Sequence, residues 1–210
     1  MRYRCIAFDI DGTLLDSAPA DLAGLQAALK AELGLELPAE ALLNTFGMPG
    51  REILSAIGVA EEDHARVMRV WKRGKRDRAA WMRVFPGIAE TLAALRERGV
   101  LLGVVTSKRP ESYAADFTPF GLDGYFDILV TCADTALHKP HPEPLYKFLE
   151  RAGARAREAL YIGDSVYDRD CARAAGVDFA LATWGSAHPD MEGVTWRLGK
   201  PEDILDILET

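Results

Sequence analysis

The stretch Cys5-Ile6-Ala7-Phe8-Asp9-Ile10-Asp11-Gly12-Thr13 leaves the chain few folds to choose from. A short apolar run that ends abruptly in two acids, a glycine and a threonine reads as a buried strand delivering carboxylates to the rim of a sheet, where open α/β sheets keep their ligands. On a continuing strand Asp9 and Asp11 share a face, and Gly12 lets the chain swing away without a side chain in the pocket. Carboxylates this close repel, and a metal ion or a shared proton relieves them. All-oxygen ligands suit a hard cation such as Mg²⁺. The same residues also read as a turn cap at Asp11 and an ordinary strand-end acid at Asp9, so the rest of the chain has to supply partners.

Beyond Thr13, Leu14-Leu15-Asp16-Ser17-Ala18-Pro19 reads as a linker into a helix over 20–33, where Leu22, Leu25, Ala28 and Leu29 recur at helical spacing and Gly34 marks the stop. Shorter helical pieces follow over 39–45 and 51–57, punctuated by Pro38, Gly47, Pro49 and Gly50, then a long polar helix over 61–80. Its basic run, Lys72-Arg73-Gly74-Lys75-Arg76, reads as a solvated face. Residues 16–84 therefore read as all-helical.

After Pro86-Gly87 the texture changes. Helices over 87–98, 110–118, 143–152, 166–175 and 201–208 alternate with apolar strands over 101–105, 126–130, 160–162 and 179–182. That alternation implies a parallel sheet covered by helices on both faces. The first strand is buried only if it joins this sheet. The expected organisation is a Rossmann-like α/β core over 1–15 and 85–210, with an all-helical cap over 16–84 inserted after the first strand.

Composition narrows the function classes. With 210 residues and 49% of them apolar, the chain can bury a sizeable core. A net charge of −7 argues against nucleic acid or an anionic membrane as a partner, since both reward clustered cations. The three cysteines, Cys5, Cys132 and Cys171, have no paired spacing, which argues against a disulfide framework or zinc site. No signal segment opens the chain and no stretch approaches a membrane span, so a cytoplasmic location is expected.

In a parallel sheet the residues just after each strand converge on one edge. Strand 101–105 ends in Thr106-Ser107-Lys108, a hydroxyl and free amides beside a helix start, which serves equally as a phosphate cradle or a plain helix cap. Strand 126–130 leads to His138-Lys139-Pro140, where a lysine can hold a point charge over an anion. Strand 160–162 ends in Gly163-Asp164-Ser165-Val166-Tyr167-Asp168; Asp168 lies one helical turn beyond Asp164, with Asp164 or Ser165 also available as an N-cap. Carboxylates, a hydroxyl and an ammonium at one edge are what phosphoryl transfer requires.

Asp9-Ile10-Asp11-Gly12-Thr13, Thr106 with Ser107, Lys139-Pro140 and Gly163-Asp164-Ser165-x-x-Asp168 resemble, in order, the four motifs of the haloacid-dehalogenase-like hydrolase superfamily. The resemblance covers nearly the whole chain. It implies a Rossmann-like core, a helical cap and Mg²⁺-dependent attack by an aspartate. By that resemblance Asp9 is the nucleophile and a metal ligand. Asp11 binds metal through its backbone carbonyl and serves as general acid, then base. Thr106 and Ser107 hold the phosphoryl group, Lys139 neutralises it together with Asp9, Asp164 ligates Mg²⁺, and Asp168 orients the metal shell or Lys139.

Relatives that cleave carbon–halogen or carbon–phosphorus bonds, and the ion pumps of the superfamily, typically lack an acid at the place of Asp11, so this chain is expected to cleave a P–O bond. Asp16-Ser17-Ala18-Pro19-Ala20-Asp21-Leu22 and Thr183-Trp184-Gly185 resemble phosphoglycolate phosphatases. The expected partner is a small phosphorylated metabolite, and the expected form a monomer or homodimer. A sugar-phosphate mutase or a pyrophosphatase shares the four motifs, and a non-catalytic regulator retaining the fold is a further alternative. Substrate choice is expected in the cap, where Phe46-Gly47-Met48-Pro49-Gly50-Arg51 is either a substrate contact, with Arg51 gripping a carboxylate, or a helix-to-helix turn with an exposed arginine.

Overall fold

Strand β1 (Cys5–Phe8) lies inside a six-stranded parallel sheet, and its four residues are all buried. The computed structural model describes residues 2–38, 41–42, 45 and 48–208. The chain divides into two compact units, Met1–Leu15 with Val84–Thr210, and Asp16–Arg83. Two-residue strands β2 (Leu15–Asp16) and β3 (Arg83–Val84) pair where the chain passes from one to the other.

In the first unit β4 (Leu101–Val105), β5 (Ile128–Val130), β6 (Ala159–Gly163), β7 (Asp178–Ala182) and β8 (Trp196–Leu198) complete the order β5-β4-β1-β6-β7-β8. Alternation along β1 splits its side chains between two cores. Ile6 and Phe8 join Val104, Leu160, Ile162 and Phe117 on one face. Cys5 and Ala7 join Val105, Tyr161, Phe148 and Cys171 on the other. Helices α4 (Ile88–Glu97) and α5 (Pro110–Asp116) contribute Leu92 and Tyr113 to the first core. Helices α6 (Glu143–Ala152) and α7 (Val166–Ala175) contribute Leu145 and Ala172 to the second. Strand register sets the geometry of the sheet edge, because Phe8 pairs with Val104 on one side and Ile162 on the other. The residues just past all three strand ends therefore reach the same level.

The second unit holds α1 (Ala18–Leu33), α2 (Gly50–Ala56) and α3 (Glu61–Arg76), packed around Leu25, Leu29, Ile53, Val67 and Trp71. Helices α1 and α3 touch backbone to backbone at Gly24 and Gly74. A Cβ on Gly24 would meet the Lys75 amide nitrogen at 2.8 Å, and one on Gly74 the Gly24 Cα at 3.1 Å.

Several local expectations differ from the structure. The basic run is not one solvated face: Gly74 is buried at this crossing and Lys75 pairs with Asp21 at 3.3 Å, while Lys72, Arg73 and Arg76 are exposed. Helix α3 stops at Arg76, and a 3₁₀ turn over Ala79–Trp81 follows. The strand expected over 126–130 begins only at Ile128, because a carboxylate oxygen of Asp127 takes the Leu102 amide instead. The closing helix, α8, is the short Asp203–Asp206. Most of the helix expected over 39–45, and Phe46 and Gly47 of the candidate loop, lie outside the described residues. Among the described residues no helix is long and apolar enough to cross a membrane.

Candidate active site

Strand β1 stops at Phe8, and Asp9 is the first residue beyond it. The amides of Thr13, Leu14 and Leu15 all donate to the Ile10 carbonyl, so the chain folds back in a tight turn instead of continuing as a strand. Gly12 takes φ +76° there, and a Cβ at that position would run into the Asp164 carboxylate. The turn separates the two acids that a continued strand would have aimed together. The Asp9 carboxylate points into a buried cluster, while that of Asp11 pairs with Lys108 at 2.9 Å.

The cluster is Asp9, Asp164 and Asp168, each offering a carboxylate oxygen within 4.8 Å of the others. Asp164 follows β6, and its Oδ1 accepts from the Thr13 hydroxyl at 3.3 Å. Ser165 is the N-cap of α7 and forms a capping box with Asp168, so the alternative role open to Ser165 is realised. The Ser165 amide and hydroxyl both donate to Asp168 Oδ2, at 3.1 and 2.5 Å. Oδ1 of Asp168 accepts from Lys139 at 2.7 Å and from the Tyr161 hydroxyl at 2.8 Å. Both oxygens of Asp168 are therefore committed to protein donors.

Lys139 sits between the carboxylates. Its ammonium donates to Asp9 Oδ1 at 2.9 Å, to Asp168 and to the Tyr161 hydroxyl at 3.0 Å. The Tyr161 hydroxyl also lies 3.1 Å from the Val105 carbonyl. Nothing in the sequence pattern marked Tyr161, which reads as one more apolar strand residue; its place two residues before Gly163, on the face of Ala7 and Asp9, is the only signal available.

Electrostatics follow from this count of charges. Burial pushes the Asp9 carboxyl up from 3.8 to about 7, the Asp168 and Asp11 charges add to that rise, and Lys139 opposes it. Burial likewise holds the Asp164 carboxyl well above its ordinary value, with the Asp168 and Asp9 charges adding. Asp168 moves the other way: Lys139, Ser165 and Tyr161 together outweigh its burial and lower it. Three buried carboxylates face one ammonium, which leaves two negative charges uncompensated. Lys139 is shared between Asp9 and Asp168, so its single charge leaves Asp164 and the second oxygen of Asp9 for a ligand, and a divalent cation with oxygen ligands fits that deficit in charge and chemistry.

Thr106 is buried just past β4, and its hydroxyl accepts from the Lys108 amide at 3.2 Å. Register puts Thr106 beside Ile10, one residue beyond the level of Asp9. Ser107 is exposed. Lys108 and its second partner Asp116, at 3.3 Å, had no sequence signal as a pair. Arg51 lies in the first turn of α2 in the second unit and is exposed, lining an open groove with Glu52, Ser55, Glu61 and His64.

Comparison with known proteins identifies the family. The model of the haloacid dehalogenase-like hydrolases matches residues 6–182. A phosphoglycolate phosphatase of Yersinia pestis is 34% identical over 203 residues, covering 89% of this chain and 87% of the relative. The pyrophosphatase PpaX of Bacillus cereus is 29% identical over 212 residues, covering 99% and 97%. A solved structure of a Lactobacillus plantarum protein superposes with a TM-score of 0.91 at 31% identity, covering 99% of this chain and 100% of that one. The chain belongs to the haloacid dehalogenase-like hydrolase family, in its phosphoglycolate-phosphatase-like branch.

Proposed function

We propose that the protein is a Mg²⁺-dependent phosphatase that hydrolyses a small phosphate monoester through a phosphoryl group carried on Asp9. The observation that supports this most is the buried set of Asp9, Asp164 and Asp168 around one lysine at the ends of β1 and β6. Asp9 and Asp164, with the Asp11 backbone carbonyl, are the residues that would hold the ion. Bound there, Mg²⁺ would offset the repulsion between an anionic nucleophile and an anionic phosphate.

The free oxygen of Asp9 attacks phosphorus while Lys139 holds the other. The P–O bond to the alcohol breaks, and the departing oxygen takes a proton from the Asp11 carboxyl. Asp11, now a carboxylate, removes a proton from water, which attacks the same phosphorus, releases phosphate and restores Asp9. One residue thus serves as acid and base in successive steps. Thr106 and Ser107, just past the end of β4, are the donors proposed for the phosphoryl oxygens. Asp168 holds the Lys139 ammonium on station from behind.

The second unit, residues 16–83, is the proposed cap, and its Arg51 the proposed contact for a substrate carboxylate. A carboxylated ester such as phosphoglycolate is the substrate class favoured by the relatives' names. A cytoplasmic setting accords with the three cysteines all being free. The test is phosphate release with Mg²⁺ across phosphoglycolate, pyrophosphate and hexose phosphates. Phosphoglycolate should be turned over fastest, and Asp9→Asn should bring activity on every member to background. A variant that keeps most of the activity removes Asp9 as nucleophile; a preference for pyrophosphate removes the carboxylated ester. Phosphate returned to a sugar instead of water would identify a mutase.

A further inference from the structure

Lys139 has a counterpart that no motif marks. Lys108 lies in the turn between β4 and α5, its side chain only 8% exposed. Its ammonium bridges Asp11 Oδ2 at 2.9 Å and Asp116 Oδ2 at 3.3 Å. Asp116, the last residue of α5, is 11% exposed at its side chain. Its neighbours on α5 and just beyond it are set in the core: Tyr113 and Phe117 meet at 5.1 Å between ring centres, tilted by 40°, and Phe117 is fully buried. Asp11 is the exposed end of this chain of charges, with 28% of its side chain open. Of the three charges the Asp11 carboxylate is the most open to solvent, and the ammonium that pairs with it is tied through Asp116 to α5.

A buried ion pair contributes little to stability over an apolar pair of the same volume, so placement is the use left open to this one. The turn at Gly12 takes Asp11 out of the strand and bridges its backbone to Leu15, and Lys108 is the cation that pairs with its carboxylate. We infer that Lys108, anchored by Asp116, is a positioning residue that aims the Asp11 carboxyl at the oxygen of the departing alcohol. This rests on the proposed role of Asp11 as proton donor. Placement matters because proton transfer requires the donor within hydrogen-bond reach of the leaving oxygen.

The test separates aim from structure by the leaving group. Loss of an alkoxide requires a proton, and loss of p-nitrophenolate does not. The kinetic constant kcat/KM covers substrate binding and the formation of phosphorylated Asp9, and leaves out its hydrolysis. For phosphoglycolate, Lys108→Met should lower it about 10²-fold, the low end of what a positioned proton donor contributes. For p-nitrophenyl phosphate it should stay within about threefold of wild type. Asp116→Asn, which removes the charge of the anchor and keeps an acceptor oxygen for the lysine, should show a smaller loss with the same preference, and Lys108→Arg should recover part of it. Equal losses on both esters in Lys108→Met and Asp116→Asn overturn the inference, as does a rise in KM alone, which would make Lys108 a substrate ligand. A wild-type protein inactive on every phosphate ester would instead refute the phosphatase reading beneath it.

Discussion

Raising the pH of the metal-free protein should destabilise its first unit, by an amount that the buried cluster sets. Burial raises the Asp9 carboxyl from 3.8 in the unfolded chain to about 7 in the folded one. Below the lower value Asp9 is protonated in both states and contributes nothing to the slope. Between the two, the folded protein holds a proton that the unfolded chain has already lost, so unfolding becomes easier as pH rises. Above about 7 the penalty is complete and constant. A difference of about three pKa units at about 1.4 kcal/mol each gives about 4 kcal/mol, a large share of the 5–15 kcal/mol typical of a domain. Asp164 is raised in the same direction and adds to the effect, whereas the lowered Asp168 and raised Lys139 do not change charge between pH 5 and 8. Urea unfolding in the presence of a chelator at pH 5, 6, 7 and 8, followed by the fluorescence of Trp184 and Trp196 in that unit, measures the slope. Mg²⁺ at millimolar concentration should recover most of the loss at pH 8, and Asp9→Asn should flatten the slope. Stability that is level or rises over this range without metal would refute the charge count on which the cation site rests.

Replacing Gly24 with alanine sets helix propensity, worth up to about 1 kcal/mol in favour, against a Cβ that would sit 2.8 Å from a backbone nitrogen of α3. Overpacking of this kind costs about 1–3 kcal/mol, so urea unfolding should show a net loss, and a gain would mean the helices part easily. Tyr161→Phe removes the hydroxyl between Lys139 and Asp168 but keeps both ion pairs. It should lower stability by about 1–3 kcal/mol, read by urea unfolding, and leave KM unchanged. Arg51→Ala should raise KM for phosphoglycolate and leave that for p-nitrophenyl phosphate, which has no carboxylate, unchanged; an equal KM on both removes Arg51 from the site.

What the sequence made legible is whatever rests on a strand ending. Asp9, Thr106 and Asp164 each stand one or two residues past an apolar run, and because β1 lies between β4 and β6 in register, being last in the run means being at the same edge. Lys139 was less legible from the strand ending alone, since eight residues of loop separate it from β5, and the family motif singled it out more strongly. The rest is hidden because its partners are made by packing. Tyr161 is a core aromatic whose hydroxyl happens to reach the ammonium, and no periodicity separates it from Leu160 or Ile162. Strand β8 has three residues with an arginine at its centre, too short for an alternation to register. Gly74 sits within a run of cations, and its closeness to Gly24 depends on how α1 crosses α3. Asp11 was misdirected for a different reason: the spacing rule assumes a continuing strand, and the three amides that converge on the Ile10 carbonyl end it.

Both lysines at this edge stand between two carboxylates, and the contrast between the two arrangements bears on how they work. Around Lys139 every group is buried, with side-chain exposures of 12% for Asp9, 6% for the lysine and none for Asp168. A nucleophile gains from that enclosure, because poor solvation keeps the anion reactive and strengthens every charge contact around it. Around Lys108 exposure grows toward Asp11. A group that must meet first an alcohol oxygen and then water has to face the space where both arrive, and can be held only from behind. The same three-charge device is therefore set at two depths, the deeper one beneath the proposed nucleophile and the shallower one beneath the proposed proton carrier.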